Sequence, residues 1–197
     1  MLEELFFRVA FSILWLIVLV GVTIVNFSAK GPAAKQTTPH EGRLRITALV
    51  FAAIYFGAAL IYVLIPSWIL FPSIALPDWF RLILIGVGVL GLLIVFWGHR
   101  DLGKNWAPSV SGVRRDTVLV TTGLYGFVRH PIYLGIFIFL SALALMVANL
   151  LILFPTVALL ILLYASIDEE EVILTARFGD EYREYKRRTL RLIPKLL

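Results

Sequence analysis

Residues 9–29, 46–77, 82–98 and 131–167 contain no charged side chain. A membrane-crossing helix needs roughly 20 apolar residues, so these runs predict membrane spans. The fourth run is nearly twice that length and reads as two helices. Asn149, near its middle in "MVANLLILFP", favours a tight connection at a membrane surface, with a buried Asn between helices as the alternative. The count is therefore five spans. The first run follows an acidic start, "MLEELFFR", and "NFSAK" is a poor cleavage site, so it is read as a retained helix.

Lysine and arginine support that count. Four lie between the first two spans (Lys30, Lys35, Arg43, Arg45), five between the third and fourth (Arg100, Lys104, Arg114, Arg115, Arg129) and seven after the fifth, against Arg8 and Arg81 on the other side. The positive-inside rule then predicts an outside N-terminus and a cytoplasmic C-terminus. Composition agrees, with 60% of residues hydrophobic and 16% charged, more apolar surface than a soluble domain of this length can bury. Orientation and contact with anionic membrane lipids account for the net charge of +5 without a nucleic-acid partner. There is no cysteine, which excludes disulfides and thiolate chemistry.

The expected architecture is thus an all-α integral membrane protein, residues 1–197 forming one membrane domain with a helical cytoplasmic tail. "GPAAKQTTPHEGR" reads as a loop. "PSWILFPSIALPDW" reads as an interfacial segment on the outer side. The loop 99–129 carries "DTVLVTTGLY" and is expected to fold back on the membrane domain. In the tail, helical pattern runs to Phe178, breaks at Gly179 and resumes with Asp180 as a cap, placing Tyr182 and Tyr185 on one face.

"GVGVLG" at 86–91 matches the dinucleotide spacing GxGxxG, yet it sits inside an apolar span with no preceding strand. Its small residues are read as a close helix contact. His40 and His99 have no second ligand at metal spacing, no metal site is expected, and no Ser-His-Asp order occurs.

"RHPIYLG" admits two readings. Arg129 can be a headgroup anchor, Pro131 the first turn of a helix and Tyr133 part of an interfacial belt. Alternatively, the free N–H groups and positive dipole end of that helix, beside Arg129 and His130, attract a carboxylate or phosphate. "DEEE", 168–171, can be a solvated helix end. At a negative lipid surface, though, four adjacent acids call for a cationic partner to at least one of them. Topology brings both motifs to the same membrane face, and an anion-binding helix start opposite carboxylates suits a zwitterion such as an amino-acid moiety.

"LVTTGLYGFVRHPIYLG", then Asn149, then "EEEVILTARFGDEYREYKRR" and "IP" resemble the isoprenylcysteine carboxyl methyltransferase family, including its prokaryotic members and the wider membrane phospholipid methyltransferase group. The resemblance covers residues 105–194 and makes that stretch the cofactor-binding half. It implies S-adenosyl-L-methionine as methyl donor, a lipophilic acceptor entering from the bilayer, and a multi-pass protein of a prokaryotic cell membrane with its active site facing the cytoplasm. It implies adenine and ribose contacts from Thr117, Val118, Leu119, Val120 and Tyr125. The methionine end falls to His130, Pro131, Ile132 and Tyr133, with Arg129 and Gly135 nearby. Glu170, with Glu171 as a second candidate, takes the ammonium or a ribose hydroxyl. In the prenylcysteine branch an arginine one turn before this glutamate faces the substrate; here that position is Ser166, and no base lies between His130 and Arg177. No catalytic residue is assigned. A phospholipid or other lipid-amine methyltransferase, an NADPH-dependent reductase of the sterol reductase type, and a non-catalytic sensor stand as alternatives.

Overall fold

The computed structural model describes residues 4–28, 39–65, 72–105 and 118–192. They form six α-helices: α1 (Glu4–Ser28), α2 (Pro39–Leu64), α3 (Asp78–Leu102), α4 (Pro131–Val147), α5 (Leu150–Phe178) and α6 (Asp180–Arg188). No named strand occurs among the described residues; two isolated bridges do, and both prove structurally important. Four of the helices are long and apolar enough to cross a membrane, over Glu4–Gly21, Ile46–Leu64, Asp78–Leu102 and Leu150–Phe178. Helix α4 is shorter, with 17 residues. At 1.5 Å per residue it rises about 26 Å, a little under a hydrocarbon thickness of about 30 Å.

Many large apolar side chains point outward, Phe96, Phe154 and Ile161 among them, each more than 60% exposed. Such a surface suits lipid and not water. The chain is an integral, multi-pass membrane protein.

Local chemistry explains the boundaries. Helix α3 opens after Pro77 with Asp78 in its first turn and closes with His99 and Arg100 in its last, the charge order its dipole favours. Between α4 and α5, Ala148 adopts the left-handed conformation (φ 49°) and Asn149 is extended, its side chain accepting the Leu151 N–H at 2.9 Å. The expected tight connection is therefore present, and Asn149 is its cap as well as being buried. Helix α2 begins earlier than the apolar run suggested. Pro39, read as loop, is its first residue, a position that tolerates the missing N–H.

In the tail the break is where it was expected, but Asp180 is not the cap. Gly179 (φ 57°) closes α5 and precedes α6, while Asp180 is the first helical residue and pairs with Arg183 at 2.5 Å.

Helices α3 and α4 run antiparallel in very close contact. A Cβ added to Gly91 would lie 2.7 Å from the Phe139 nitrogen, and one added to Gly135 would lie 2.6 Å from the Gly91 oxygen. Gly88 and Gly91 of "GVGVLG" thus serve helix approach, as their setting in an apolar span implied, whereas Gly86 faces open space. Phe7 and Phe11 of α1, Tyr55 and Tyr62 of α2, Phe139 and Leu143 of α4, and Ile152 of α5 complete the buried core.

One end of the bundle is pinned shut. Arg81 binds Glu4 at 2.8 Å, donates from Nε to the Met146 carbonyl at 2.9 Å and covers the Phe7 ring. Residues 72–74 lie beside the α4–α5 turn, with Ile74 N–H to Ala148 O at 2.8 Å and Leu150 N–H to Pro72 O at 3.2 Å. This is the described part of the proline-rich segment; residues 66–71 lie outside the described residues.

Candidate functional site

The other end gathers polar groups. Pro131 starts α4, and the residues just before it pair with the tail, Arg129 N–H to Leu190 O at 2.9 Å and His130 N–H to Arg191 O at 3.1 Å. A short parallel bridge between Val128 and Leu190 continues this seam. The tail backbone is thereby stitched to the helix entrance.

Glu171, 3% exposed, occupies the centre. Its Oε1 accepts from Arg129 Nε at 2.9 Å and lies 3.4 Å from His130 Nε2; its Oε2 meets Lys186 Nζ at 2.9 Å and Arg191 Nη2 at 3.2 Å. Arg129 also donates to the carbonyls of Lys186, at 3.2 Å, and Thr189. Arg191 continues to Asp168 at 2.7 Å. Two acids of "DEEE", Glu171 and Asp168, are therefore paired with cations, where at least one was expected to be. Three cations thus meet one buried carboxylate, Glu171, and one exposed one, Asp168, with the Glu170 carboxylate beside them. Glu170, the neighbouring residue, is only half-buried and makes no ion pair among the described residues.

A second group of contacts shapes the loop before α4. A one-turn 3-10 helix, Gly123–Gly126, hangs from the end of α3, where Asp101 accepts the Leu124 N–H at 2.8 Å. Gly123 has φ 61°, and a Cβ there would sit 2.3 Å from Asp101 Oδ2, so the acid and the glycine are fitted to each other. Asn105 accepts the Val118 N–H at 3.0 Å. Tyr125 is buried on this turn, and its carbonyl accepts the Tyr185 hydroxyl at 2.6 Å. The described part of the loop does fold back onto the helices. Neither Asp101 nor Asn105 was foreseen: each contact spans more than a dozen residues, and no local pattern marks it.

The residues read from the sequence divide accordingly. Tyr125, Arg129, His130, Glu170 and Glu171 come together at this end, with Pro131 buried at the helix start and Tyr133 half-buried, its ring 5.7 Å from that of His130. Val118 is exposed, while Leu119 and Val120 are half-buried; Thr117 lies outside the described residues. Gly135 is taken up by the contact with Gly91, and Ile132 packs against Gly98. Ser166 donates to the Leu162 carbonyl at 2.9 Å, a bond within its own helix. Lys186 and Arg191 were missed as members of the site.

Beside this end runs an apolar groove of about 310 Å³ lined by Phe137, Val157, Leu160, Ile161 and Tyr164. Arg191 lies over the Tyr164 ring at 5.7 Å, so one end of the groove adjoins the cation cluster.

Fold and site together define a class: multi-pass helical membrane proteins with a polar, tail-covered cluster at one end of the bundle and an apolar groove beside it. Residues 83–176 match the model of the isoprenylcysteine carboxyl methyltransferase (ICMT) family. It is 30% identical over 118 residues to the nickel-cobalt-cadmium resistance protein NccN of Alcaligenes xylosoxydans xylosoxydans, covering 60% of this chain and 53% of that protein. Methanethiol S-methyltransferase 1 of Bradyrhizobium diazoefficiens is 42% identical over 71 residues, 36% of this chain and 24% of that one. The human protein-S-isoprenylcysteine O-methyltransferase is 35% identical over 112 residues, 52% of this chain and 39% of that one. The chain thus spans about half the length of these relatives or less. The solved structure of the eukaryotic intramembrane Ras methyltransferase ICMT shares the fold, with a TM-score of 0.54 and 23% identity over 82% of this chain and 55% of that one.

Proposed function

We propose that this protein transfers a methyl group from S-adenosyl-L-methionine to a lipophilic acceptor in the membrane. The observation that carries the reading is the convergence of Arg129, His130, Lys186 and Arg191 on buried Glu171, one residue from half-buried Glu170. A cluster of cations beside an uncommitted carboxylate fits the carboxylate and ammonium of a methionine moiety. Tyr125, held on its turn by Asp101 and Tyr185, offers an aromatic wall for the nucleoside end.

Bound there, the donor supplies an electrophilic methyl on its sulfonium. The chain's own part is alignment and exclusion of water, which the tail provides by closing over the α4 entrance. A carboxylate or thiolate acceptor needs no general base, whereas an ammonium acceptor must first lose a proton. The acceptor class that fits is a lipid-borne carboxylate or thiol, in keeping with the acceptors named for the human and Bradyrhizobium relatives. It reaches the site along the groove of Phe137, Ile161 and Tyr164, meeting the donor near Tyr133. Ser166, tied to its own helix, supplies no charge for a prenylcysteine carboxylate; Arg191 over Tyr164 is the cation at the groove.

The orientation that goes with this function has five spans, the N-terminus outside and the site facing the cytoplasm of a prokaryotic cell. Titration of purified protein with S-adenosylhomocysteine and with NADPH tests the donor, and binding of NADPH alone would refute the reading. Mass-resolved methylation of native lipid extracts then identifies the acceptor.

A further inference from the structure

Helix α6 turns two tyrosines inward, and they fare differently. The Tyr185 hydroxyl donates to the Tyr125 carbonyl at 2.6 Å. The Tyr182 hydroxyl, on a residue only 1% exposed, finds no hydrogen-bond partner among the described residues. Their rings stand 5.9 Å apart. A buried hydroxyl left unsatisfied forfeits its hydration with nothing in return, and a structural aromatic at such a place is served as well by phenylalanine.

Where this hydroxyl lies gives it a use. Glu171, Arg129 and Glu170 are the charges that act on it, and all three belong to the candidate site. The Lys186 ammonium lies 5.9 Å from the centre of its ring. Burial, and next the negative charge of Glu171, push its ionisation upward, so the group stays a neutral O–H able to donate. The other two unsatisfied buried polar atoms among the described residues, Trp15 Nε1 and Tyr55 Oη, belong to α1 and α2 and not to the tail.

We propose that Tyr182 is a ligand-contacting residue, its hydroxyl donating a hydrogen bond to an oxygen of bound S-adenosylmethionine, either the carboxylate or a ribose hydroxyl. The tail helix then reads the donor molecule directly as well as covering it. This rests on the proposed function, and the experiment separates the two. Wild type, Tyr182→Phe and Tyr185→Phe are purified in detergent, and ligand-free melting temperature and S-adenosylhomocysteine affinity are measured for each.

Loss of an unpartnered hydroxyl leaves the ligand-free melting temperature of Tyr182→Phe unchanged or raised, while its affinity falls about tenfold. Tyr185→Phe, which breaks a bond made within the chain, lowers the ligand-free melting temperature. Wild-type affinity in Tyr182→Phe overturns the inference and leaves the function standing, as does a ligand-free destabilisation equal to that of Tyr185→Phe. Failure of wild type itself to bind S-adenosylhomocysteine overturns the function first, and the inference with it.

Discussion

Glu170 and Glu171 are adjacent, yet about 100° of helical rotation separates their tasks. Glu171 is surrounded by cations, so Glu171→Gln leaves buried Arg129 and part-exposed Lys186 and Arg191 facing one another without their shared carboxylate. That change is expected to cost about 3–5 kcal/mol and to appear as a marked fall in thermal stability without ligand. Glu170→Gln disturbs no ion pair among the described residues, so it keeps the melting temperature and weakens S-adenosylhomocysteine binding about tenfold, measured by calorimetry. Equal effects from both variants would contradict the division. Asp101→Ala frees the turn that carries Tyr125; we expect weaker binding in that variant, with much of the loss restored by Asp101→Asn, whose amide oxygen still accepts the Leu124 N–H. The sequence brought both glutamates to the end of the bundle that holds His130, and the family resemblance put Glu170 first, but no local pattern said which of the two is buried. Which carboxylate is buried depends on Lys186 and Arg191, whose return from the tail is a tertiary event.

The helices themselves were easier to read. Asn149 marked the division between α4 and α5 because a polar side chain in a long apolar run has to cap something or line something, and here it caps. "GVGVLG" showed that a helix comes near, though nothing local said that its partner was Gly135. Gly135→Ala is expected to push α3 and α4 apart at a cost of about 1–3 kcal/mol, checked by chemical or thermal denaturation in detergent. Ala148→Gly should move the other way by about 0.5–1 kcal/mol, since glycine adopts the left-handed turn without strain. The start of α2 was misjudged because a proline-containing polar stretch reads as loop, while proline in a first turn is also a helix opener.

Two polar knots of different kinds hold the molecule at its ends. Arg81 and Glu4 tie the starts of α1 and α3 to the end of α4, while Glu171 ties the α4 entrance to α5 and the tail. The absence of cysteine makes the proposed orientation easy to test. A membrane-impermeant maleimide should label Trp79→Cys from the extracytoplasmic side and Arg187→Cys from the cytoplasmic side, both positions being exposed. The reverse pattern would invert the topology.

The Glu171 knot also sets an order in time. Synthesis runs from the N-terminus, and segments reach the membrane in that order. A chain elongated only as far as Phe178 has all five apolar helices, yet it lacks Lys186, Arg191 and the carbonyls that Arg129 grips. At that moment Glu171 is an acid beside other acids, and the α4 entrance is open. Completion of the proposed site is therefore a late step: the apolar helices come first, and the proposed ligand site is whole only when α6 and the residues after it fold back.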